Sequence, residues 1–248
     1  MTTVKNIYDY INTIAPFDTQ EDWDNSGFLV GDFRGEVKKV VLSLDTTKET
    51  VDFAKSVDAD LIISHHPVIF GGVKNVKKDS VLYELVINNI AQISVHTPYD
   101  KACGGINDNL ADIFGLKAVR KLDNGYLVVG ELEEAMSIDD FASYAGDLLG
   151  SNGLRYTDTD KLIKTVAVGG GACSEFIDDA IENADCFLTG DLKYHEMLDA
   201  QQLGYPVISA GHFETENKPF LMMKDKLKSI FTDVEFIIAP TQNPVLSI

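Results

Sequence analysis

The stretch Leu61-Ile62-Ile63-Ser64-His65-His66-Pro67 decides how this chain reads. Its three leading apolar residues make a run the length of a short buried strand, and Pro67, which has no N–H for a ladder, marks the point where the strand has ended. Both imidazoles are thereby assigned to the carboxyl end of a strand, where open α/β sheets keep their ligand sites. Neighbouring residues point in divergent directions, so two consecutive histidines suit a single ion poorly but can each hold one of two ions in a shared cleft. The expectation is a dinuclear site.

Outward from this stretch the apolar pattern reads as strand (Val40 to Leu44), helix (capped near Thr47, through Val57), strand (Leu61 to Ser64), helix (Ser80 to Asn88) and strand (Gln92 to Val95). That βαβαβ order predicts a parallel sheet with right-handed crossovers. Upstream, Val4, Ile7, Tyr8, Ile11 and Ile14 recur at helical spacing behind Thr2-Thr3 and stop at Pro16. Trp23-Asp24-Asn25-Ser26-Gly27 then reads as a turn with one buried tryptophan, feeding a short strand, with Asn25 a candidate cleft-lining residue. Downstream, Asn107 and Asp108 read as caps of a helix that ends at Gly115.

The second half repeats the plan. A constant offset of 125 positions carries Val40-Val41-Leu42 onto Thr165-Val166-Ala167 and Ala59 to Ser64 onto Ala184 to Thr189, so that His65-His66 corresponds to Gly190-Asp191. The expected fold is α/β, with two similar α/β lobes of mostly parallel sheet (residues 1–124 and 125–248) and a metal site in the cleft between them. The joining segment reads as a strand from Tyr126 to Leu132 and a helix from Ser137 to Leu149, and the chain closes with a helix to Ile230 and a strand from Val234 to Ala239. Gly169-Gly170-Gly171 is either an anion-binding turn or a flexible strand-to-helix turn.

The 248 residues are 45% hydrophobic, enough for a substantial core. No apolar run approaches the roughly 18 residues of a membrane span and Met1-Thr2-Thr3-Val4-Lys5-Asn6 has no signal-peptide pattern, so a cytoplasmic location without membrane contact is expected. Cys103, Cys173 and Cys186 show no Cys-x-x-Cys spacing, which points to reduced thiols and away from a thiolate zinc site. A net charge of −18 repels polyphosphate backbones and argues against nonspecific nucleic-acid binding.

Only five histidines are present, and each falls in a short polar stretch at a strand end. Zinc, manganese or iron takes neutral imidazole and carboxylate ligands, and a bridged pair needs a carboxylate able to reach both ions. The candidates for two divalent ions per chain are His65, His66, Asp100, His212 and Glu216. Pro219 is tolerated in the first turn of a helix, so the closing helix is expected to begin near Thr215 with His212 in the loop before it. His96 and His195 remain as candidates for fixing ligand orientation or moving protons.

Trp-Asp-Asn-x-Gly at 23–27, Ser-His-His-Pro at 64–67, His-Thr-x-x-Asp at 96–100 with Gly-Gly-x-Asn-Asp at 104–108, Thr-Gly-Asp-x-x-x-His at 189–195 and Gly-His-x-x-x-Glu at 211–216 occur in this order. Together they resemble the NIF-three-like family, whose members are often named GTP cyclohydrolase 1 type 2 homologues. The resemblance implies that His65, His66, Asp100, His212 and Glu216 are the ligands of two metals with the glutamate bridging, and that the protein forms a ring-shaped homohexamer. The leading expectation is a metal-dependent hydrolase acting on a C–N or phosphoester bond of a small molecule, with His96 or His195 protonating the leaving group. The rival expectation is a metal-binding regulatory or interaction protein without turnover, which a closed coordination shell would favour.

Overall fold

The structure is a computed structural model and describes residues 1–151 and 153–246. In chain order the first elements are α1 (Val4–Ile14), β1 (Gly27–Val30), β2 (Lys39–Ser43), α2 (Lys48–Ser56), β3 (Leu61–Ser64), α3 (Val81–Ile87), β4 (Ala91–Ser94), α4 (Thr97–Lys101) and α5 (Ile106–Ile113). They are followed by β5 (Lys117–Lys121), β6 (Val128–Met136), α6 (Ile138–Leu149), β7 (Arg155–Tyr156), β8 (Ile163–Gly169), α7 (Ile177–Asn183) and β9 (Cys186–Thr189). The last are α8 (Tyr194–Gln202), β10 (Val207–Ser209), α9 (His212–Leu221), α10 (Met223–Ile230) and β11 (Glu235–Ile238). Helix starts follow the side-chain chemistry: the hydroxyls of Thr47, Ser80 and Ser137 accept the N–H groups of Thr50, Tyr83 and Asp140 at the mouths of α2, α3 and α6.

The chain separates into two compact units. The first holds Met1–Cys103 and Phe220–Gln242; the second holds Gly104–Pro219 and the tail from Asn243. This grouping differs from a division at 124/125, because the end of the chain returns to the first sheet: β11 pairs parallel with β2, Glu235 opposite Lys39 and Ile238 opposite Leu42.

In the first unit the strand order is β1-β4-β3-β2-β11, all parallel except β1, which runs antiparallel to β4. Leu61, Ile62, Ile63 and Ser64 are fully buried, which is why β3 reads as an unbroken apolar run and not as an alternation. Ile62 packs with Val41, Val51, Ala54 and Leu85 in the core beneath α2 and α3. Ser43, Ser64 and Ser94 lie in register, so the residues that follow them leave three adjacent strands at one level.

The second unit has strand order β5-β6-β8-β9-β10-β7, with β8, β9 and β10 parallel and the flanking strands antiparallel. Side-chain alternation divides its core: Val166, Val168, Leu188 and Ile208 join Phe114 and Phe141 on one face, while Ala167, Phe187 and Val207 join Leu127 and Leu192 on the other. Gly169, Thr189 and Ser209 share one register level, as the three serines do in the first sheet. Each sheet thus contains the same block, three parallel strands with an antiparallel strand beside the last.

Three local expectations change. Trp23 is 60% exposed. Helix α5 starts two residues early, capped by Gly105, so Asn107 and Asp108 lie inside its first turn; their side chains accept the N–H groups of Gly170 at 2.7 Å and Gly104 at 2.6 Å. Helix α9 begins at His212 and carries Pro219 in its interior, where Asn109 Nδ2 donates to the proline carbonyl at 2.9 Å, and a separate helix, α10, follows. Strand β5, largely exposed and rich in Lys and Arg, offers no apolar run to read and is held by its pairing with β6. Among the described residues no helix is long and apolar enough to cross a membrane.

Candidate metal centre

In the first unit the site grows from the level carboxyl ends of β2, β3 and β4. The backbone N–H groups of His65 and His66 both donate to the Leu44 carbonyl, at 3.1 and 3.0 Å, which turns the chain sharply beyond β3. A buried polar ladder supports the turn: Ser94 Oγ donates to the His65 carbonyl at 2.8 Å, Ser64 Oγ to the His66 carbonyl at 2.7 Å, and Gln92 Nε2 to Ser64 Oγ at 2.8 Å. Hydroxyls and an amide inside an otherwise apolar sheet hold this geometry at the cost of apolar packing.

Each imidazole in this unit is gripped at Nδ1. His65 Nδ1 meets the Val95 carbonyl at 2.9 Å, His66 Nδ1 meets Asp45 Oδ1 at 2.8 Å and His96 Nδ1 meets Asp24 Oδ1 at 2.9 Å. An acceptor at Nδ1 fixes the proton there and leaves the Nε2 lone pair for an electrophile, which is the arrangement metal-ligating histidines show. One ligand atom from each of His65, His66 and His96 falls within 4.8 Å of the others. Asp100, one turn into α4 and nearly buried, brings Oδ1 to 3.5 Å from His65 Nε2. The histidine pair, His96 and Asp100 are therefore brought together.

Asp24 has the most constrained carboxylate of this group. Burial alone would raise its pKa, but His96 Nδ1, the Thr97 hydroxyl and N–H, and the Ser26 hydroxyl all donate to it and hold it far below the usual carboxylate range. It also opens α4, since its Oδ2 takes the Thr97 N–H. Asn25 turns away to donate to the Ile69 carbonyl at 2.7 Å. The exposed rings of Trp23 and Phe70 stand edge-on to His96 at 5.6 and 5.5 Å.

The second unit repeats the grip. His212 and Glu216 share a face of α9, four residues apart, with Nε2 and Oε2 3.1 Å from each other, and His212 Nδ1 meets Asp191 Oδ2 at 2.6 Å. Burial opposes a charge on His212, but the two carboxylates prevail and push its pKa up to about 10. His195 is exposed in the first turn of α8 with its ring 5.3 Å from Tyr194, and it belongs to none of the metal-capable groups among the described residues.

The orienting carboxylates escaped sequence reasoning. Asp45 follows β2 as His66 follows β3, so its place at a strand end is a signal; Asp24 lies inside the Trp-Asp-Asn turn, where nothing in the local pattern sets it apart from Asn25. Histidine and carboxylate groups able to hold a metal are thus present, and their donor chemistry fits zinc, manganese or iron.

The model of the family Duf34/NIF3 (NGG1p interacting factor 3) matches residues 2–244. The chain is 33% identical over 250 residues to a Clostridium perfringens protein named GTP cyclohydrolase 1 type 2 homolog, spanning 95% of each. It is 31% identical over 234 residues to a Helicobacter pylori protein named GTP cyclohydrolase 1 type 2, across 92% of this chain and 93% of that one. Among solved structures, Staphylococcus aureus protein SA1388 is similar at a TM-score of 0.90 and 26% identity, covering 100% of this chain and 99% of its own.

Proposed function

Because the chain belongs to the Duf34/NIF3 family, we propose that it is a metal-dependent hydrolase whose His65, His66, Asp100, His212 and Glu216 hold two divalent ions, of zinc, manganese or iron, with Glu216 shared between them. The observation that carries the reading is the repeated grip at Nδ1, by a carbonyl at His65 and by carboxylates at His66 and His212, which leaves Nε2 of each as the donor. Five donors exceed what one tetrahedral ion uses.

Bound divalent ions supply Lewis acidity, which lowers the pKa of water to roughly 7 and polarises the bond to be cleaved. The protein's own groups do the rest. His96 can pass a proton through Nε2 while Asp24 stabilises the imidazolium formed, and the polar ladder under His65 and His66 keeps the donors from relaxing. His195, exposed on α8, is the alternative proton carrier. The names of the relatives point to a C–N bond in a small heterocycle as the target, with phosphoesters the second class. His96 also has a second reading as a third imidazole donor, favoured by its ligand atom lying within 4.8 Å of those of His65 and His66. On the family resemblance we place six chains in a ring, which a monomer in light scattering at micromolar concentration would refute.

The test is a screen of the metal-loaded protein against nucleotides and phosphoesters, with chelated protein and His96→Ala beside it. Metal-dependent turnover lost in His96→Ala with metal retained supports a hydrolase in which His96 moves a proton. Full metal binding with no turnover of any compound supports the regulatory or interaction protein instead.

A further inference from the structure

The glycine run 169–171 reads in sequence as either an anion-binding turn or a flexible strand-to-helix turn, and two of its amides are committed within the protein: Gly170 N–H donates to Asn107 Oδ1 at 2.7 Å and Gly171 N–H to Thr215 Oγ1 at 3.0 Å. The Gly171 carbonyl in turn accepts from Gly190 N–H at 2.9 Å, Asp191 N–H at 3.0 Å and Thr189 Oγ1 at 3.0 Å. This turn is therefore the common attachment of the end of β8, the end of β9 and the first turn of α9.

What lies against the turn gives it a use. Gly171 has φ +64°, in the left-handed region, and a Cβ on it would overlap Glu216 Oε1 outright, approach the Glu216 carboxyl carbon to 2.9 Å and come within 3.3 Å of His212 Cε1. Gly190 is equally bare: a Cβ there would stand 2.6 Å from the Gly171 carbonyl, 2.8 Å from Thr215 Oγ1 and 2.9 Å from His212 Cα. The buried Thr215 hydroxyl stitches the helix to the turn, accepting from Gly171 and facing the Gly211 and His212 carbonyls at 2.9 and 3.1 Å. The same carbonyl that anchors the Asp191 amide thus fixes the residue whose carboxylate orients His212.

We propose that Gly171 and Thr215 are positioning residues for the His212–Glu216 donor pair, a seat whose bare Cα sets where the Glu216 carboxylate rests and whose threonine hydroxyl fixes the first turn of α9. The inference rests on the reading of His212 and Glu216 as metal ligands. Its geometric half, however, concerns the protein without metal.

The probe is Zn²⁺ or Mn²⁺ alone, titrated calorimetrically and counted by elemental analysis, on wild type, Thr215→Val, Thr215→Ser and Gly171→Ala, with thermal unfolding of each metal-free protein. Thr215→Val keeps the volume and removes the hydroxyl; it should bind metal roughly 10- to 100-fold more weakly, the usual loss when a group orienting a ligand is removed. Thr215→Ser should return the affinity to near wild type, and Gly171→Ala should lose at least part of the bound metal. Thr215→Val that is folded and binds as wild type does overturns the proposal, whatever becomes of Gly171→Ala. Wild type that binds no metal overturns the metal-centre reading instead; crystal structures of metal-free Thr215→Val then decide the seat, supporting it if the Glu216 carboxylate has left Gly171 and refuting it if the carboxylate has not moved.

Discussion

Asp24 Oδ1 lies 2.9 Å from His96 Nδ1, and the two residues stand 72 positions apart in the chain. Five donors from four residues converge on this one carboxylate, so it is at once an orienter of the imidazole and the cap of α4.

Asp24→Asn should lower unfolding free energy at pH 7 by about 1–3 kcal/mol, since a buried acceptor of several hydrogen bonds is replaced by a group that accepts fewer and carries no charge. The folded pKa is depressed, so the stabilisation is present above the unfolded value of about 3.9 and is lost as pH falls below it toward the folded one. Urea unfolding of both proteins from pH 7 to 3 should show the gap narrowing on the acid side. A gap that widens there would remove the linkage.

Elemental analysis after reloading should approach about two ions per chain. Glu216→Gln should lose at least one, because an amide bridges two cations poorly, whereas His195→Ala, exposed on α8, should keep both. If His195 carries the proton, turnover in that variant falls roughly 10²- to 10⁴-fold. Loss of metal from His195→Ala would make it a ligand.

The thiols should separate cleanly under a neutral disulfide reagent. Cys103 is exposed while Cys173 and Cys186 are buried, and burial pushes the Cys186 thiol far up, leaving almost no thiolate to react. One thiol should label quickly in native protein and all three after denaturation; rapid native labelling of Cys186 would contradict the packing of β9.

Ile62→Ala should destabilise the first unit by about 2–5 kcal/mol, read as a shift in the unfolding midpoint, since Ile62 is fully buried between β2 and β4 and packs under two helices.

The parallel strands and their helices were legible because each is a local pattern: an apolar run, a hydroxyl cap, a proline or glycine stop. The residues proposed as donors could be nominated for a related reason, since the three motifs that hold them follow β3, β4 and β10. What escaped depended on partners distant in sequence. Asp24 and Asp45 matter through histidines 72 and 21 positions away, and the Gly171 turn serves the first turn of α9, which no window of sequence contains. Asn107 looked like a cap because caps are local, yet its side chain answers to Gly170. The start of α9 was misplaced because the proline rule is a local one, whereas α9 runs from His212 to Leu221 with Pro219 in its interior.

The closing of the first sheet by β11 bears on how the protein is born. Lys39 leaves the ribosome long before Glu235, its neighbour across the ladder, so throughout synthesis the outer edge of β2 stands bare. The stretch from Gly104 to Pro219, continuous in the chain, meets its own strands as they emerge and can consolidate while the earlier unit waits. A nascent or prematurely ended chain therefore carries a four-stranded sheet whose β2 edge is open to pairing with other chains, an exposure that the finished molecule ends with β11.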